Sequence, residues 1–299
     1  MKNLGRKSLM DEVRKVFITG GGGFVAPHLI AALPRHWQLS VHMRKPATYT
    51  FDREVRLVHG AMDEADLTKE FGRGIDSVIH LAGAVQGPSN EAIIDSNVVT
   101  TRNVLAAMER CKVPSLVFMS TASVWSDNRG MRLNETIDAN PSTLYGYVKL
   151  CAERLINASV CQGGIDSAVI LRCNSTYGRG ATQGVVHSFL QQISKSSPVV
   201  IYGDGQQLRE PLYIDDLVDL IYRSLSLSGG LHLYGVSGPN ALSVLKIAET
   251  IARATKNNLQ IEWREDHPER VRHITIDTNK AKLQLGWSES WLGKSAQPG

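Results

Sequence analysis

A tyrosine and a lysine four residues apart open one helical stretch of this chain, Tyr145-Gly146-Tyr147-Val148-Lys149. That spacing stacks the phenol and the ammonium on one helix face. The ammonium is then expected to lower the phenol from its ordinary value of about 10, so that Tyr145 gives and takes a proton near neutral pH. Upstream, the apolar run SLVFMS leads into Ser120-Thr121-Ala122-Ser123. Hydroxyls at the carboxyl end of a parallel strand lie where ligands bind in open sheets, and one of them can hold a reacting oxygen.

A second constellation sits near the start, where the apolar run VFIT passes into Gly20-Gly21-Gly22-Gly23 and then Phe24-Val25-Ala26. Glycines between a strand and a helix permit a tight turn and let backbone N–H groups approach a pyrophosphate at the positive helix end. The plainer alternative is a merely flexible loop. Sites that take NAD carry an acidic residue about 20 positions further on, against the ribose 2′-hydroxyl. Residues 24–51 contain no Asp or Glu, and the run LSVHM ends in Arg44-Lys45. Two cations there favour the 2′-phosphate of NADP(H), against the plainer alternative of a solvated basic strand end.

The elements that must position these residues follow from the hydrophobic pattern. Runs at VFIT (16–19), LSVHM (39–43), VRLVHG (55–60), SVIHLAG (77–83), SLVFMS (115–120), SAVILR (167–172) and PVVIYG (198–203) alternate with helical stretches. This is the βαβ rhythm of an α/β fold, a doubly wound parallel sheet with helices on both faces. The clearest helices are expected at Asn97–Arg110, Tyr145–Cys161, Asp215–Ser226 and Ser243–Thr255, with Asn97 and Ser243 as N-caps. Beyond about Tyr177 the rhythm loosens. Residues 13–177 are expected to form the dinucleotide-binding domain, with returns around 198–227, and residues 178–299 mainly a smaller substrate-binding lobe.

Composition narrows the class. The 33 Lys and Arg against 29 Asp and Glu are scattered along the chain, which does not suggest nucleic-acid binding. Cys111, Cys151, Cys161 and Cys173 show no metal spacing, so buried reduced thiols and no metal are expected. No apolar run is long enough for a membrane span or a signal segment, and a cytoplasmic location is the default expectation.

Taken together, TGGGGFVA (19–26), HLAGA (80–84), NVVTTRNVL (97–105), FMSTASVW (118–125), YGYVK (145–149), LRCNSTYGRG (171–180), YGDGQQLREPLYIDD (202–216) and DTNKAKLQLGW (277–287) resemble the extended short-chain dehydrogenase/reductases of the NAD-dependent epimerase/dehydratase family. The resemblance implies a Rossmann-type fold and a catalytic triad of Thr121, Tyr145 and Lys149, with Asn97 supporting the lysine, often through water. It places Gly20, Gly23, Phe24 and Val25 on the pyrophosphate and Met62 and Asp63 near the adenine. Leu81, Ala82 and Gly83 would line the cofactor ribose and phosphate, and Cys173 and Asn174 the nicotinamide side. A sugar diphosphate would be held by Arg209 and by Arg270 or Arg272. The chain departs from the family pattern at Ala26, at Ser175 where a substrate-contacting Asn is usual, at Arg179 for Pro, and at Trp125 for Tyr. The resemblance also implies a homodimer paired through a four-helix bundle.

The dehydratases of this family carry an Asp-Glu pair directly after the catalytic Thr, whereas here Ala122-Ser123 follow. Dehydration and decarboxylation are therefore not expected. Arg44-Lys45 favour an NADP(H)-dependent reductase of a nucleotide-linked 4-keto-6-deoxy sugar. The alternatives are an NAD-dependent nucleotide-sugar 4-epimerase and, from another class, an inactive dinucleotide-binding sensor or scaffold.

Overall fold

The computed structural model describes residues 12–45, 50–125, 131–265 and 273–289. In chain order its strands are β1 (Lys15–Thr19), β2 (Gln38–Met43), β3 (Arg56–His59), β4 (Ser77–His80), β5 (Ser115–Thr121), β6 (Ser167–Cys173), β7 (Thr176–Tyr177), β8 (Val199–Tyr202), β9 (Leu208–Arg209), β10 (Leu212–Tyr213), β11 (Gly230–Val236), β12 (Leu242–Ser243) and β13 (Ile261–Arg264). The α-helices are α1 (Val25–Ala32), α2 (Glu64–Phe71), α3 (Asn90–Ile94), α4 (Thr100–Cys111), α5 (Leu144–Cys161), α6 (Val185–Ser194), α7 (Ile214–Ser224), α8 (Val244–Thr255) and α9 (Asn279–Leu285).

Seven strands form one sheet in the order β11-β6-β5-β4-β1-β2-β3. The pairs β1–β2, β2–β3, β1–β4 and β4–β5 run parallel. The order steps outward in both directions from β1 and β4, which makes a switch point between them. Phe17, Ile18, Val78 and Ile79 are fully buried, as central strands covered on both faces require. The run PVVIYG behaves differently. As β8 it pairs with β13 in a separate two-stranded sheet, and the seventh strand of the main sheet is β11. The reason is burial on one face only: Val199 and Ile201 point into a core with Phe189, Ile193, Ile247 and Ile251, while Tyr202 is exposed.

The chain divides into two compact units, one of Met1–Met119, Cys151–Ile170 and Ile221–His232, the other of Ser120–Leu150, Leu171–Leu220 and Leu233–Gly299. In the first, Asp63 caps α2 by accepting from the Asp66 N–H at 2.9 Å. In the second, Ser243 caps α8 through the Lys246 N–H, as the sequence predicts. Trp125 is buried there, its indole N–H on the Ile137 carbonyl and the Arg172 guanidinium 4.6 Å from its ring centre. The tryptophan that departs from the family pattern thus serves a packed core with a cation over its face.

The sequence reading of Asn97 as an N-cap is corrected. Ser89 caps α3, and Asp95–Val99 continue from it as a π-helical turn that runs straight into α4. Asn97 lies inside that turn with helical neighbours on both sides. A π turn skips one residue in the hydrogen-bond ladder and so frees a backbone carbonyl. The Asn97 Nδ2 meets the Ile93 carbonyl at 2.8 Å.

Candidate active site

The first unit carries the glycine loop. Gly20 adopts φ +75°, and a Cβ there would lie 2.8 Å from the Ala82 nitrogen, so only glycine fits. The Gly23 N–H closes a turn on the Gly20 carbonyl at 2.9 Å, and the Gly21 N–H bonds the His42 carbonyl at 2.8 Å. Gly22 faces open space, and no side chain caps the start of α1 at Phe24. A glycine turn leading into an uncapped helix N-terminus fits a pyrophosphate, whose charge suits the amides and the dipole there. Val25 and Ala26 are buried behind the loop.

Met62, Asp63, Leu81, Ala82, Gly83, Arg44, Lys45 and Asn97 lie in the same unit as the loop. Leu81 and Ala82 follow β4 half-buried, and Gly83 is exposed. The Met62 carbonyl accepts from Asn103 at 2.9 Å, and the Asp63 carboxylate is committed to its helix cap. Arg44 and Lys45 are exposed at the end of β2. Asn97 is 1% exposed; its Nδ2 also donates to the Ala84 carbonyl at 2.9 Å, while its Oδ1 has no partner among the described residues.

The second unit carries Thr121, Tyr145 and Lys149. Thr121 ends β5 and starts a short 3-10 turn, its hydroxyl accepting the Ser123 N–H and donating to the Ser123 hydroxyl, both at 3.2 Å. Thr143 caps α5, taking the Gly146 N–H on its side chain at 3.1 Å. A Cβ on Gly146 would lie 2.5 Å from the Ser123 carbonyl oxygen and 2.8 Å from the Pro141 side chain. The first turn of α5 therefore packs backbone-close against the turn that follows β5, and this contact fixes Tyr145 and Lys149 relative to Thr121.

Electrostatics in this unit run opposite to the sequence expectation. Burial pushes the Tyr145 phenol up to about 12, with the neighbouring Cys173 adding to the rise. Cys173 itself, fully buried, is pushed up to about 12 by burial, which Lys149 only partly opposes. Lys149 is 3% exposed. For the phenol the loss of water on burial sets the shift.

At the remaining assigned positions, Asn174 is buried with its side chain spent on the fold. Its Nδ2 donates to Ser237 and to the Ile274 carbonyl, and its Oδ1 takes the Ser175 N–H. Ser175 is exposed. Arg209 is half-buried on β9, with its Nη1 on the Leu208 carbonyl at 2.8 Å. Arg270 and Arg272 lie outside the described residues. Sequence reasoning missed Glu210 beside Arg209. This 1% exposed residue accepts from the Ser237 hydroxyl at 2.7 Å and the Ile276 N–H at 2.8 Å, and pairs with Arg132 at 3.1 Å. It missed Gly146 as well, although a glycine inside a helix's first turn is the signal of a close backbone approach.

A family model described as the NAD dependent epimerase/dehydratase family matches residues 16–232. The chain belongs to this family. It is an enzyme of the extended short-chain dehydrogenase/reductase type, a class served by a nicotinamide dinucleotide. A dTDP-glucose 4,6-dehydratase of Mycolicibacterium smegmatis is 28% identical, the match covering 92% of this chain and 88% of the relative. A UDP-glucuronate 4-epimerase of Thermodesulfobacterium geofontis is 30% identical over 71% of this chain and 67% of its own length. Among solved structures, MoeE5 in complex with UDP-glucuronic acid and NAD superposes with a TM-score of 0.86 at 25% identity, over 94% of this chain and 96% of the other. The UDP-glucose 4-epimerase of Thermotoga maritima shares the fold, with a TM-score of 0.87 at 20% identity over 95% and 96% of the two chains. No helix among the described residues is long and apolar enough to cross a membrane.

Two outcomes follow from the family site. In cofactor-free protein, the tyrosinate absorbance of wild type minus that of Tyr145→Phe should rise with a midpoint near 12 rather than 10. Because the folded value lies above the unfolded one, the neutral phenol's contribution to stability is fully present below a pH of about 10. It is lost as the pH climbs through about 12. Gly146→Ala must push α5 off the Ser123 backbone, and a shift approaching 1 Å should lower kcat about 10²-fold. Steady-state kinetics beside a far-UV spectrum of the variant checks it.

Proposed function

We propose that this enzyme is a nucleotide-sugar 4-epimerase. The observation that carries the reading is the surroundings of Thr121: the next residue is a buried alanine, and the one after is a serine whose hydroxyl is bonded to Thr121. Water elimination needs an acid and a base beside the threonine, and neither position supplies a carboxylate. Inverting a carbinol centre needs only one proton acceptor and donor together with a hydride carrier.

The dinucleotide, when bound, supplies the place where a hydride from the sugar carbon is parked and from which it returns to the opposite face. Tyr145 takes the hydroxyl proton at that carbon and gives it back, so no net redox change occurs. Thr121 Oγ1 holds the same oxygen. Lys149 keeps positive charge beside a phenol that burial otherwise holds protonated, which supports transfer of the proton near neutral pH. Asn97 Oδ1, without a partner among the described residues, is free to accept from a donor such as an ordered water. Gly20, Gly23, Phe24 and Val25 hold the pyrophosphate, and Arg209 offers a planar fork to the sugar diphosphate.

Incubation with UDP-glucose, UDP-glucuronate or dTDP-glucose should give the 4-epimer by proton NMR without net consumption of dinucleotide. Tyr145→Phe should lower kcat by about 10²–10⁴-fold. Arg209→Ala should raise KM by about 10–100-fold with dinucleotide affinity unchanged. A best substrate without a phosphate, to which the Arg209 variant is indifferent, would remove the nucleotide-sugar reading.

A second reading, an NADP(H)-dependent reductase of a nucleotide-linked 4-keto-6-deoxy sugar, is favoured by the exposed Arg44-Lys45 and the absence of any carboxylate from residue 24 to 51. On this reading the wild type binds NADPH more tightly than NADH, and Arg44→Asp erases the preference. Fluorescence titration of both cofactors decides it, and NAD retained through purification returns the choice to the epimerase.

A further inference from the structure

Within the first unit, a chain of hydrogen bonds through six residues loops back almost to its start. The Ala82 N–H donates to Thr19 Oγ1 at 3.1 Å, and Thr19 Oγ1 meets His80 Nδ1 at 2.7 Å. His80 Nε2 meets Thr101 Oγ1 at 3.1 Å, and the Thr101 hydroxyl donates to the Asn97 carbonyl at 2.6 Å. Asn97 Nδ2 donates to the Ala84 carbonyl at 2.9 Å, two residues beyond the start. Thr19, His80 and Thr101 have 1% exposure or less.

The directions are forced by the ends. A backbone N–H only donates and a carbonyl only accepts. Thr101 spends its proton on the Asn97 carbonyl and must accept from an Nε2–H. In the neutral ring Nδ1 is then bare and accepts from the Thr19 hydroxyl. Phe118 holds the imidazole from the side, its ring centre 5.5 Å away. Asn97 Nδ2 faces two carbonyls, so its Oδ1 is the end left over, and the chain of bonds determines where it points.

We propose that His80 is a positioning residue that locks the cofactor-side loop 81–84 to the π turn bearing Asn97. Its Nδ1 side, through Thr19, sets the Ala82 amide. Its Nε2 side, through Thr101, sets the Asn97 backbone and so the aim of Oδ1. The inference rests on the roles given above to residues 81–83 and to Asn97.

The two halves can be separated, because Asn supplies an acceptor near the Nδ1 position and Gln a donor near the Nε2 position. In cofactor-free His80→Asn, hydrogen exchange of the amides of residues 95–101 should accelerate about 10–100-fold, the effect of one buried hydrogen-bond partner lost. NADH and NADPH dissociation constants should stay within about 3-fold. His80→Gln should reverse the pattern, leaving exchange near wild type and weakening dinucleotide binding. Thr101→Val should reproduce His80→Asn, and the double variant should exceed neither, since both cut one connection. With a turned-over nucleotide sugar, His80→Asn should lower kcat and spare KM. If either histidine variant fails to fold, Thr101→Val and Thr19→Val carry the same two comparisons.

The proposal is overturned if the variants lose only thermal stability, with exchange at 95–101 and dinucleotide affinity unchanged, or if Asn and Gln act alike. Failure of the epimerase reading has a different signature: no wild-type turnover of any nucleotide sugar, with the exchange and affinity differences intact.

Discussion

The arrangement of Thr121, Tyr145 and Lys149 hangs on a contact with no room for a side chain, the approach of Gly146 to the Ser123 carbonyl. Two backbones that close define the first turn of α5 relative to the end of β5 within a few tenths of an ångström. Thr121 is fixed on one side of this contact by its bonds to Ser123. Tyr145 and Lys149 are fixed on the other by the helix that Thr143 caps. A looser contact would leave hydroxyl, phenol and ammonium individually present but not held in register, and proton transfer is steep in distance.

Burial on this scaffold has a chemical consequence. Lys149, Cys173 and most of Tyr145 are withdrawn from water together, and the cost of a charge in that environment holds both the phenol and the thiol in their neutral forms. A phenol held neutral by burial is set to give its proton rather than to take one.

Much of this was legible in the sequence because it depends on local pattern. Alternating apolar runs predict six of the seven strands of the main sheet, and the glycine turn, the Ser243 cap and the Tyr-Lys spacing are all short-range signals. What failed to show depends on partners distant in the chain. β11 carries His232 and Gly235 among its apolar residues and does not read as a buried strand. Asn97 looks like a cap, since Asn before an apolar helix normally is one, and nothing local announces that a helix already precedes it. The phenol's upward shift was missed for the same reason: the lysine is visible four residues away, but the loss of water is a property of the packed core.

The segment around Arg209 follows a similar economy of position. Glu210 directly follows Arg209, and its buried carboxylate joins Arg132, Ser237 and the Ile276 N–H. The Arg132 guanidinium also reaches the Ile276 carbonyl at 2.7 Å. Desolvation pushes Glu210 above the ordinary carboxylate range while Ser237, Ile276 and Arg132 pull it down. Such a group acts as a junction, because three chain segments lose a partner if it goes. Its neighbour Gly238 has no space for a Cβ against the Pro211 carbonyl, so the same segment is clamped a second time. Arg209 is carried on the short strand β9 between these fixed points, which limits the side chain's search.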